Sequence, residues 1–153
     1  MEFLAGLHPQ VVHFPIALIV TYILFEIISA VFPKSKLSNA ALIILALAVI
    51  SALAAVLTGN QAEQLAELWE EQGAIIPFGT ISEHETYATY TLWYYAILLF
   101  GRIFLVVKKL YAGKLRYLAA VLALLGGFLI YETGEEGGKL VREHGVGTEL
   151  LKP

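Results

Sequence analysis

Four long apolar runs set the pattern of this chain. Residues 14–32 are apolar apart from Thr21, Tyr22, Glu26 and Ser29, and residues 40–57 are interrupted only by Ser51. Residues 87–107 carry a single charge, Arg102. Residues 115–131 are shorter, but Arg116 can snorkel outward and lengthen that run. A spanning helix needs about 20 mostly apolar residues, so each run reads as a membrane crossing. The connections 33–39 and 108–114 are short, which makes the joined helices antiparallel neighbours. The expected fold is all-α: one integral membrane domain over residues 1–153, a four-helix bundle running up-down-up-down.

The more polar stretches, the connection 58–86 and the tail 132–153, are expected to form a small extracytoplasmic helical layer. In residues 60–72, Leu65, Leu68 and Trp69 recur at helical spacing opposite Glu63, Glu67, Glu70 and Glu71. That pattern predicts a polar helix, extending the second span or lying at the interface, ended by Gly73 and Pro77. Ser82 and Glu85 are spaced as a capping box, which predicts a third-span helix from about Glu83 with His84 in its first turn. Gly134, Gly137, Gly138, Gly145 and Gly147 punctuate the tail. If the last helix continues, Gly134, Gly138, Val141 and Gly145 share one side and permit close approach of a backbone or a flat ligand.

Composition agrees with the pattern. The chain is 58% hydrophobic and 15% charged, against about 25% charge in ordinary soluble domains. It has no cysteine, which removes disulfides, iron–sulfur clusters and thiolate zinc sites. No basic signal-peptide region precedes the first run, so that run is expected to remain as a span.

Charge gives an orientation. The two short turns and their flanks hold Lys34, Lys36, Lys108, Lys109, Lys114 and Arg116, with no acid among them. The other end holds only Lys139, Arg142 and Lys152, beside twelve of the thirteen glutamates. The positive-inside rule places the turns in the cytoplasm and both termini outside, in the inner (cytoplasmic) membrane. Membrane lipid is the implied environment, and the acidic outer end argues against nucleic acid as a partner. A homo-oligomer and a single copy both stand as assemblies.

The chemistry-bearing residues gather toward that outer end. His8 and His13 sit in the opening stretch His8-Pro9-Gln10-Val11-Val12-His13-Phe14-Pro15, whose prolines suit the first turn of a helix. Thr58-Gly59 closes the second span, His84 opens the third, and Gly137-Gly138-Lys139-Leu140-Val141-Arg142-Glu143-His144-Gly145-Val146-Gly147 follows the fourth. In these motifs, and in an acid within span one (Glu26) and an arginine late in span three (Arg102), the chain resembles the bacterial and archaeal membrane family called domain of unknown function 2231. The resemblance covers nearly the whole chain. It implies four spans with histidines at these positions, and it points toward haem or redox association. The stretch 60–82 is longer and more acidic than the resemblance leads one to expect.

Imidazole is the strong metal ligand available here, and neutral imidazole binds haem iron, copper and zinc. His8, His13, His84 and His144 are therefore the candidate metal and cofactor ligands. Helix position alone pairs His13 with His84 and His8 with His144. Tyr87 and Tyr94, on the polar stripe of span three with His84, Thr91 and Tyr95, are candidate cofactor contacts to a haem propionate or a quinone. An aromatic belt at the interface is the plainer reading of that stripe. Gly126-Gly127 within span four reads either as tight helix packing or as room for a porphyrin face. Glu26 and Arg102 lie at matching depth and are expected to form a buried ion pair, either a structural clamp or part of a proton path.

Three functions follow as expectations. The first is a b-type cytochrome-like protein holding haem b and passing electrons to a quinone or an exoplasmic redox protein. The second is a copper or zinc binding or sensing protein using the same histidines. The third is a cofactor-free structural subunit. No nucleophile–base pair, phosphate loop or carboxylate dyad is recognisable, so an enzyme is not expected.

Overall fold

A computed structural model describes residues 2–146; Gly147, Glu149 and Lys152 lie outside the described residues. The helices are α1 (Glu2–Val11), α2 (His13–Val31), α3 (Leu37–Glu71), α4 (Phe78–Val107) and α5 (Lys114–Arg142). Four helical runs, Glu2–Val31, Leu37–Glu71, Phe78–Val107 and Lys114–Arg142, are long and apolar enough to cross a membrane. The apolar stretches 14–32, 40–57, 87–107 and 115–131 fall inside these helices to within a residue. The bundle closes as a ring: α2 packs against α3 and α5, and α4 against the same two. α1 folds along α3.

Large apolar side chains such as Ile50, Trp93, Phe100 and Phe128 face outward, where lipid would cover them. The centre is built from smaller groups and tyrosines: Ile19, Tyr22, Leu45, Ala48, Tyr95 and Ala123 are fully buried. Small residues let the helix backbones come close, the usual basis of packing where apolar lipid supplies no hydrophobic drive. Tyr22 and Tyr95 meet edge-to-face across the middle, with centroids 6.1 Å apart. Gly126 is where the tyrosines pass α5: a Cβ there would lie 2.6 Å from Tyr94 Cε1 and 2.7 Å from the Tyr95 hydroxyl. Side chains fill that space, so Gly126 serves helix packing.

Two boundaries differ from the sequence expectation, and one open alternative is decided. Pro9 lies inside α1, near its end, and α1 extends outward ahead of it. Proline removes one intrahelical donor and crowds the preceding turn; the helix breaks three residues later at Val12, and α2 restarts at His13. The polar stretch after span two continues α3 without interruption to Glu71. α4 begins at Phe78, directly after Pro77, and not at Glu83. The Ser82–Glu85 spacing is thus inside the helix, one turn after part-buried Phe78.

Candidate functional site

At the end of the bundle that carries the chain's amino terminus, α1, α3, α4 and α5 enclose a cavity of about 150 Å³. Its walls are mostly small and apolar, with Ala55, Gly59, Ala62 and Ala66 from α3 and Ala88 from α4. Four of its lining residues titrate: His8, His84, Glu63 and Glu85. Both histidines precede the apolar crossing stretches. Their rings face each other with centroids 6.3 Å apart and planes at 75°.

Each ring is seated in the same manner. His8, from α1, lies on Gly59 of α3, where a Cβ would come within 3.0 Å of its Cε1. His84, from α4, lies on Gly137 of α5, again 3.0 Å from Cε1 to the place of a Cβ. Both glycines are helical, so their role is to let an imidazole approach the backbone. Each ring is then fixed through Nδ1: His84 to the Thr133 carbonyl at 3.0 Å, His8 to the Thr58 hydroxyl at 3.1 Å.

The partner at Nδ1 fixes the tautomer of His84. A carbonyl only accepts, so His84 donates from Nδ1 and a neutral ring carries its lone pair on Nε2. The Thr58 hydroxyl lies 3.0 Å from the carbonyls of both Ala54 and Ala55. When that hydrogen goes to either carbonyl, Thr58 accepts from His8, and that ring takes the same tautomer. Burial holds His8 below the ordinary imidazole value, and the neighbouring His84 lowers it further. Burial also lowers His84, against the pull of the Thr133 carbonyl and of Glu136 and Glu85. Both rings are therefore neutral at pH 7. Glu63 is shifted the other way: burial and the repulsion of Glu85 and Glu67 raise it above the usual carboxylate value.

The other predicted site residues lie elsewhere. His13, Tyr87, Tyr94 and His144 do not line the cavity. His13 is exposed on the first turn of α2. His144 is exposed beyond α5, with Nε2 3.4 Å from the Thr80 hydroxyl. Tyr94 donates its hydroxyl to the Leu122 carbonyl at 2.7 Å, tying α4 to α5. The ring facing His84 is thus His8 and not His13. Among the described residues, no group of three or more histidine or acidic side chains converges as a ready-made metal site.

A second polar centre lies near the turn end. Arg102 Nε donates to Glu26 Oε1 at 2.9 Å, both side chains buried. The Tyr111 hydroxyl donates to the same oxygen at 2.8 Å, and Arg102 Nη2 reaches the Ser38 hydroxyl at 3.0 Å. The guanidinium stacks 3.2 Å from the Tyr111 ring centroid. Tyr111 and Ser38 were not singled out from the sequence. Tyr111 belongs to the short basic connection 108–114, and positive φ at Lys109 and Gly113 folds it back over the pair.

The family described as "Predicted membrane protein (DUF2231)" matches residues 5–150. The chain belongs to that family. No curated protein matches the chain, and no solved structure does.

Proposed function

We propose that this DUF2231 protein binds a transition-metal ion, copper or zinc, between His8 and His84. The observation that carries the reading is the tautomer: two facing neutral imidazoles are each anchored through Nδ1, which directs the lone pair to Nε2. Metal-bound histidines nearly always donate their other ring N–H in this way. The ring separation of 6.3 Å accepts one ion with bonds of about 2 Å to a nitrogen of each ring. Glu63 and Glu85 at the cavity wall repel each other, and a cation beside them relieves that repulsion. Two protein ligands leave coordination positions for water or a small ligand, which suits an exchangeable, sensing or carrier site better than a closed structural one.

Haem b is the second reading, favoured by the pair of facing imidazoles, since two axial histidines would commit an iron to electron transfer. The cavity volume weighs against it. Sites for drug-sized ligands span about 300–1,000 Å³, and the 150 Å³ here suits an ion with its waters, not a porphyrin.

Elemental analysis and an absorption spectrum of the purified protein, wild type and with His8→Ala or His84→Ala, test both readings. The expected result is about one copper or zinc per chain, lost in either variant, with His13→Ala and His144→Ala unchanged. A reduced-minus-oxidised alpha band would replace the ion with haem. Equal metal content in all four variants would end the assignment.

A further inference from the structure

Away from the histidines, a crevice of about 330 Å³ runs between α4 and α5 in the half of the bundle nearer the turns. It is apolar except for two side chains at its base, Arg102 and Tyr22. Ile97, Phe104 and Leu118 on its rim are exposed, so the crevice opens sideways to lipid. Arg102 is only 3% exposed, and its Nε and Nη2 are engaged by Glu26 and Ser38. Its Nη1 is buried with no hydrogen-bond partner among the described residues. A buried donor left unmade carries the penalty of its lost hydration, so a ligand that accepts from it is favoured. The Tyr22 hydroxyl also makes no hydrogen bond among the described residues.

We infer that this crevice binds the ring of a lipid-soluble quinone, with a ring carbonyl accepting from Arg102 Nη1 and Tyr22 as a second donor. Three observations select that class. The charge of Arg102 is already balanced by Glu26, so the site offers a neutral donor and does not call for an anion. Arg102 lies five residues inside the end of α4, about 7.5 Å along the helix. That depth is below lipid headgroups but reachable by a neutral ring carried on an apolar tail. The volume falls in the range of ring-sized ligands. The inference does not depend on the metal site.

Gly101 supplies the test. It lines the crevice, and a Cβ placed on it meets nothing within 4 Å, so Gly101→Leu has room at Cβ and occupies crevice space. The probe is a short-tailed benzoquinone, titrated into the full chain in phosphatidylcholine nanodiscs and read by tryptophan quenching. Wild type should quench saturably. Tyr22→Phe should bind about tenfold more weakly, and Gly101→Leu should show no saturable component while unfolding as wild type does. Saturation unchanged in Gly101→Leu would overturn the inference. So would displacement of the quinone by oleate at equal concentration, which would mark a fatty-acid groove.

Discussion

The two polar centres of this bundle are opposites. Near the turns, Glu26 is held by Arg102 and Tyr111, and its own backbone carbonyl takes the Ser29 hydroxyl at 2.9 Å. Around the histidines, each ring is anchored through Nδ1, and both rings line a cavity. At the turn end the carboxylate is bonded within the fold, and what stays open is one donor, Arg102 Nη1, without a partner among the described residues. A centre whose donors are half used has chemistry to spare. Burial alone does not distinguish them, but the account of donors and acceptors does.

The largest test of that contrast is at the ion pair. Glu26→Leu strands a buried guanidinium and should cost about 3–5 kcal/mol, measured by unfolding in mixed micelles. Glu26→Leu combined with Arg102→Leu should recover most of the loss, because a matched apolar pair replaces a matched charged one. No recovery would mean that the charges do more than hold helices together.

At the histidine end the same size of change should touch function first. Gly137→Leu pushes the His84 ring off its backbone seat and should lower copper or zinc affinity about 10–100-fold, the scale seen when a ligand's supporting shell is disturbed. The unfolding midpoint in the same micelles should move far less than in Glu26→Leu. A large loss of stability with unchanged affinity would reverse the comparison.

The smallest effect is in pH. Folding lowers both imidazoles from their ordinary value of about 6.5. Below pH 6.5 the unfolded chain takes up protons that the folded one refuses, so stability falls as pH drops through that value. Metal affinity should hold level across pH 6.5 and decline only below the lowered values, since protons then compete for Nε2. Affinity falling steadily from pH 7 would show ordinary, exposed imidazoles.

Much of this was legible beforehand. Run length and polarity gave four crossings, and the depth match gave the meeting of Glu26 with Arg102. Of the four histidines the fold brings His8 and His84 together and leaves His13 apart, for an angular reason. Five residues carry a helix about 140° around its axis, so His8 and His13 do not share a face even without the break at Val12. The seats of the rings were present as Thr58-Gly59 and Gly137, visible as motifs but not as surfaces, because what rests on a glycine is set by a neighbouring helix. Tyr111 escaped for a related cause: its direction is fixed by turn geometry that hydropathy does not encode.

Resting an imidazole on bare backbone has a mechanical corollary. His8 on α1 rests against α3 and His84 on α4 rests against α5, so the gap between them depends on the positions of all four helices. A slide of one helix along another, from changing bilayer thickness or tension, would alter that gap and with it the grip on whatever lies between.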